Sequence, residues 1–343
     1  MRKKKMALYP RESASLISRL SKDVTISQDG VKKAANLIIK GFQSDHIDLK
    51  TWKTHPLNPK DPMLPFTVDW IFLVDTLNFS FWSEPGKEYR ITYHGETYTG
   101  YWSLCAAVNR AIEEGYNITS PVYYSNISLD TLQHIFRSDT GTELPLLEER
   151  QKVLNETGKC LVEKFEATFV RCLALCEKSA AKLLQLIVEN FPSYRDEAEI
   201  DGHKVSFYKR AQILIGDIWA CFEGKSCGTF EDIDTITIFA DYRIPQVLVY
   251  LGVLEYSEEL LKKLKEGELL ENGDRYEVEI RGCTIWAVEL MCQYIKGKQA
   301  QGEVEQSILF NSILIDNYLW DYRRQHAKEM EHIPFHKVRC IYY

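Results

Sequence analysis

The stretch FADYRIPQVLVYLGVL, Phe239–Leu254, decides how this chain is read. Val247, Leu248, Leu251 and Leu254 recur at helical spacing and give the run a buried stripe. Pro245 fits the first turn, where a missing N–H costs nothing. Asp241 then stands at the mouth of a helix, where a carboxylate is favoured by unpaired N–H groups. From these residues alone Asp241 is either a helix cap or a working carboxylate.

Upstream, Tyr208-Lys209-Arg210-Ala211 opens another apolar helix. The pattern Asp241-x-x-x-Pro245-x-Val247 followed by Leu251-Gly252 resembles the segment that carries the catalytic aspartate in helix-hairpin-helix base-excision glycosylases. Lys209 falls near the lysine-bearing end of their hairpin. The interval from Lys209 to Asp241 is longer than in that family. Phe207 and Tyr208 stand where its hairpin glycines would be, and a four-cysteine cluster motif is absent.

Composition narrows the field. The 343 residues are 45% hydrophobic and 27% charged, a globular balance sufficient for one large domain or two packed ones. The formal charge of −7 and a pI near 5.7 lack the basic footprint of a duplex-DNA binder. Nine cysteines without CxxC spacing point to buried free thiols in a reducing compartment, with no metal site expected. The opening Met1-Arg-Lys-Lys-Lys lacks the apolar run of a signal peptide. No apolar run is long enough to span a bilayer. A cytoplasmic protein without membrane partner or cofactor is expected.

In chain order, Pro10–Leu20 and Val31–Phe42 read as amphipathic helices. Thr54–Pro65, with four prolines and His55, reads as an irregular loop. Val68–Trp82 is aromatic-rich and carries Asp69, Asp75 and Asn78, which must tie down backbone or face a ligand. Tyr89–Tyr93 and Thr97–Tyr101 alternate about His94-Gly95-Glu96 and predict a hairpin. Helices are expected over Trp102–Glu114, Leu129–Phe136, Leu146–Phe165, Phe169–Phe191, Ser206–Phe222, Ile244–Leu254, Ser257–Leu264, Tyr276–Ile295 and Ile308–Arg324. Lys296–Gln306 reads as a surface linker. The fold expected is mainly α with a small antiparallel β element, an α+β fold on a helical DNA-glycosylase-like core. Residues 1–165 would form an α/β portion with the hairpin and 166–343 a helical portion, the two packed as one compact unit.

The whole chain resembles a narrower family, the queuosine salvage proteins, which are queuosine 5′-phosphate N-glycosylase/hydrolases. The carrying residues are VDTLNFSFW at Val74–Trp82, GYWSLCAAVNRA at Gly100–Ala111, LNETGK at Leu154–Lys159 and FPSYRD at Phe191–Asp196. VSFYKRAQIL at Val205–Leu214, FADYRIPQVL at Phe239–Leu248, YLWDY at Tyr318–Tyr322 and the closing Arg339–Tyr343 add to them. The resemblance implies release of queuine, a modified 7-deazaguanine, from queuosine 5′-monophosphate, for salvage into tRNA modification. No duplex nucleic acid is implied.

Such chemistry assigns candidate roles. A carboxylate beneath the sugar stabilises the cation-like centre as the base departs, and Asp241 takes that role, with activation of the attacking water as a second duty. Lys209 is either a nucleophile or, with Arg243, a phosphate holder; the latter suits a 5′-phosphate. Asp316 and Asp321 are candidate acceptors for the base, its cationic aminomethyl group and its ring diol. Five positions apart on a helix, they point about 140° from one another at about 100° per residue. Phe239 and Trp320 would stack on the base and Tyr322 would line the site. In the plainer reading Trp320 is core and Asp321 pairs with Arg323 or Arg324. His55 enters only through the resemblance, as a pocket-lid group. Two other readings remain: a DNA or RNA base-excision glycosylase with Lys209 as nucleophile, and a non-catalytic nucleoside-binding protein.

Overall fold

The computed structural model describes residues 7–45, 49–60 and 62–343. In order, its elements are α1 (Pro10–Leu20), β1 (Val24–Ile26), α2 (Gln28–Asp45), α3 (Thr51–Thr54), α4 (Phe66–Thr76), β2 (Arg90–Tyr93), β3 (Glu96–Thr99), α5 (Tyr101–Glu113), α6 (Pro121–Tyr124), α7 (Leu129–Ile135) and α8 (Leu147–Lys164). There follow α9 (Val170–Leu175), α10 (Ala180–Asn190), β4 (Glu197–Ile200), β5 (His203–Ser206), α11 (Lys209–Cys221), α12 (Ile244–Tyr250), β6 (Leu254–Tyr256), α13 (Glu258–Lys265), α14 (Arg275–Ala300) and α15 (Ser312–Gln325). The strands form antiparallel pairs β1–β6, β2–β3 and β4–β5. The fold is mainly helical with small β elements, as expected.

The chain divides into two compact units. The first takes the described residues before 49, with Asp196–Gln212 and Asp234–Val338. Its spine is α14, whose Val278, Ile280, Ile285, Val288, Met291 and Ile295 are all buried. Helix α1 packs closely on α14 because Gly282 has no side chain; a Cβ there would meet Ile17 Cγ2 at 2.4 Å. The turn after α1 is held by Glu279, whose Oε2 accepts from Ser21 Oγ, Lys22 N and Asp23 N at 2.8, 2.9 and 2.8 Å. That turn delivers β1 to β6, with Thr25 opposite Glu255. Backbone meets backbone at Gly30, where a Cβ would lie 2.0 Å from the Gly252 carbonyl oxygen. Neither side can yield without moving main chain, so Gly30→Ala is expected to lose about 3 kcal/mol of stability. Urea unfolding measures it, and an unchanged midpoint would contradict the packing.

The second unit takes Leu49–Arg195, Ile213–Ile233 and Arg339–Tyr343. Here α4 is buried along nearly its whole length, from Thr67 to Thr76. Its Asp69 ties down backbone: Oδ1 accepts from Phe169 N at 2.8 Å and Thr168 Oγ1 at 3.1 Å. Phe72 stacks on Phe169 at 4.6 Å. The closing residues belong to this unit, with the Arg339 guanidinium 3.4 Å above the Trp82 ring and Tyr343 O accepting from Ser80 N at 2.8 Å.

Burial pushes the Asp69 carboxyl up to about 6, against the two hydrogen bonds it accepts. A folded pKa above the unfolded value favours the protonated form. That contribution is complete below about pH 4 and is lost as pH rises through about 6. Asp69→Asn keeps an acceptor for Phe169 N without the charge. We expect it to match or exceed the parent at pH 7.5, by up to about 2 kcal/mol, with a flatter stability profile between pH 4 and 7. A lower melting temperature at pH 7.5 would refute this.

Three expectations are corrected. The helix expected over Phe169–Phe191 is two helices, α9 and α10. Glu177 and Lys178 take positive φ (52° and 62°), and Ser179 restarts the chain by accepting from Lys182 N. The Asp232 carboxylate holds Ser179 Oγ at 2.7 Å and also Ala180 N. The helix expected to end at Leu254 ends at Tyr250, and Leu254 begins β6. Lys296–Gln306 is not wholly a linker, since α14 runs to Ala300 with Lys298 bridging to Glu303 at 2.6 Å.

Candidate active site

Ile236–Ala240 is buried yet lies in no helix or strand. Buried backbone must still satisfy its polar groups, and here side chains of three helices do so. Gln212 of α11 accepts from Thr237 N at 2.8 Å, and Asp316 of α15 accepts from Phe239 N at 3.0 Å. Arg281 of α14 donates from Nε to Ala240 O at 3.0 Å. The next residue is Asp241, half-buried. Its Oδ1 accepts from Arg243 N at 2.7 Å and Ile244 N at 2.9 Å, closing the start of α12 with Pro245 in the first turn. Oδ2 accepts no hydrogen bond among the described residues. The carboxylate therefore caps with one oxygen and presents the other.

Lys209 begins α11 and is 5% exposed. Its backbone N donates to Asp196 Oδ2 at 3.1 Å. Both oxygens of Asp196 receive the Arg281 guanidinium, at 2.8 and 2.6 Å, and Arg281 also reaches Glu277 at 3.2 Å. One buried guanidinium thus binds the carboxylate under the Lys209 amide and the carbonyl just before Asp241. Tyr208 adopts φ +47°, a conformation glycine takes most readily, and its hydroxyl donates to Glu197 at 2.8 Å. Phe207 lies beneath Arg281, 4.1 Å from ring centroid to guanidinium carbon.

Arg243 lies against the rings of Phe335 (4.3 Å) and Tyr242 (5.1 Å) and donates to Gln246 Oε1 at 3.2 Å. Near it is Arg323, which the sequence suggested only as a partner for Asp321. Its Nε is buried without a hydrogen-bond partner. Burial, and then the charge of Arg243, lower its pKa to about 10.

On α15, Asp316 is buried at 6% exposure while Asp321 is exposed, as their angular separation requires. Desolvation raises the Asp321 pKa and the Arg324 charge opposes it. Trp320 is half-buried beneath Arg324, 4.9 Å from ring to guanidinium carbon. Tyr322 stacks on His326 at 4.0 Å. Phe239 is 3% exposed. His55 belongs to the second unit. There its ring stacks on Trp102 at 3.3 Å and its Nδ1 accepts from Leu57 N at 3.3 Å. Asp241, Lys209, Phe239, Arg243, Asp316, Trp320, Asp321 and Tyr322 all lie in the first unit. Among the described residues no cluster of histidine, cysteine and carboxylate side chains is placed to hold a metal, and no helix is long and apolar enough to cross a membrane.

Sequence reading missed Asp196, Gln212 and Arg281. The signal available was a charge inside an apolar helix, Arg281 within EIRGCTIWAV.

A mouse (Mus musculus) protein named queuosine 5′-phosphate N-glycosylase/hydrolase is 53% identical over 98% of this chain and 99% of its own. Proteins of the same name from Schizosaccharomyces pombe and Sphaerobacter thermophilus are 40% and 35% identical. These cover 97% and 93% of this chain, and 99% and 93% of their own. Residues 57–343 match the family described as queuosine salvage protein. With that family matched over most of its length and with these relatives, the chain belongs to the queuosine salvage proteins.

Proposed function

We propose that this protein hydrolyses the N-glycosidic bond of queuosine 5′-phosphate and frees queuine. The observation that carries the reading is the divided duty of Asp241, one oxygen fixed by two backbone amides and the other presented beside the mouth of α12. Oδ2 sits beneath ribose C1′ and stabilises positive charge as the C1′–N bond breaks and its electron pair leaves with the base. Water then adds to C1′. One of its protons passes to Oδ2 and from there, through solvent, to the nitrogen of the departing base, so that the carboxylate is regenerated. Lys209 and Arg243 hold the 5′-phosphate.

Asp321 accepts from the donors of queuine, with Trp320 stacked on the flat base and Tyr322 lining the site. Asp316 has one oxygen engaged with the Phe239 amide, so its part is to set the backbone that places Phe239 against the base and Asp241 against the sugar. The test is incubation of the purified chain with queuosine 5′-phosphate, with mass spectrometry of the products. Queuine and ribose 5-phosphate in equal amounts are expected, and intact nucleotide after prolonged incubation overturns the reading.

A further inference from the structure

A cleft of about 490 Å³ opens on the first unit between α12, the end of α13 and the chain following α15. Arg243, Lys265, Arg323, Lys328 and Lys337 line it, against the single carboxylate of Glu331. That is a concentrated positive field on a chain of net charge −7. Among the described residues, Arg243, Lys265, Arg323 and Lys328 take part in no ion pair within 4 Å. Like charges gathered in a concave, partly desolvated site repel one another, and an anion relieves that repulsion.

We infer that this cleft binds a small phosphorylated molecule. Two guanidinium groups and flanking ammonium groups suit a phosphate dianion, which arginine meets with paired donors and lysine as a point charge. The volume falls in the range of small-molecule sites rather than that of a bare ion. Leu264 and Pro334 supply an apolar wall for the body of the ligand. The depressed pKa of Arg323, set by burial and by Arg243, fits cations held together for a negative guest.

The phosphate has two possible sources, the nucleotide proposed as substrate or a second phosphorylated compound. The first rests on the hydrolase reading. It is favoured by continuity, because the residue that supplies Arg243 also donates its amide to Asp241.

Equilibrium dialysis of the full chain against radiolabelled inorganic phosphate and ribose 5-phosphate tests the assignment. The Lys265→Gln/Lys328→Gln double variant alters exposed positions and should keep the parental melting temperature. It is expected to bind both probes at least tenfold more weakly, and Arg323→Gln more weakly still. Unchanged affinity in both variants, or no binding by the parent, overturns the inference. Kinetics separate the sources. A tenfold higher KM for queuosine 5′-phosphate but not for queuosine assigns the substrate's own phosphate to the cleft. An unchanged KM with lost phosphate binding assigns a separate ligand. Phosphate binding without any queuine release keeps the cleft and removes the hydrolase reading.

Discussion

Asp241→Asn protein is expected to fold with the parental melting temperature and to release queuine roughly a thousandfold more slowly. The amide oxygen of asparagine still accepts from Arg243 N and Ile244 N, and asparagine ranks with aspartate as a helix cap, so stability is preserved. What vanishes is the charge. At about 4 Å and an effective dielectric of about 20, a unit charge pair is worth about 4 kcal/mol, roughly a thousandfold in rate. The loss should fall on kcat, because the positive centre exists only in the transition state. Asp241→Ala loses the same factor and in addition about 1 kcal/mol of stability with the cap. Comparing the two by calorimetry and by mass-spectrometric assay separates capping from chemistry. Undiminished turnover in Asp241→Asn would strip this residue of its proposed part.

Arg281→Met should be the most damaging substitution among the residues that hold the backbone of the candidate site. It leaves Asp196 and Glu277 buried without their cation and Ala240 O without that donor. Breaking a buried ion pair from one side costs about 3–5 kcal/mol. We expect a protein that is strongly destabilised or does not accumulate. Arg281→Lys is the informative companion. An ammonium keeps the charge but cannot grip Asp196 with two donors while also reaching Ala240 O. It should fold at a smaller cost and show a lower kcat with little change in KM, since Ala240 precedes Asp241 directly. A Lys variant with parental kcat would show that the guanidinium serves stability alone.

Local signals carried much of this structure. Helix α1 lies where its apolar spacing puts it, and the β2–β3 hairpin follows from the His94-Gly95 turn between alternating segments. Asp241 at the start of a helix followed from Pro245 and the stripe beyond it. Pairings between distant parts of the chain were not legible. Strands β1 and β6 are three residues each and find one another across most of the sequence. The break between α9 and α10 is held partly by Asp232, far along the chain from Ser179. Arg323 was read as a neighbour's counter-ion because helical spacing offered Asp321. Its position beside Arg243 arises only from tertiary packing. Arg281 and Gln212 were passed over because a polar residue in a buried helix declares no partner in its own neighbourhood.

The interlock of α1 with α14 reaches into biosynthesis. As the polypeptide leaves the ribosome, α1 emerges with its apolar side uncovered, and the helix that shelters it is made only after most of the remaining chain. Contacts of such long sequence separation form late and fold slowly. A lesion in the first few dozen residues would therefore be felt in the unit that bears Asp241 and Lys209, as poor yield of nascent protein rather than as altered chemistry.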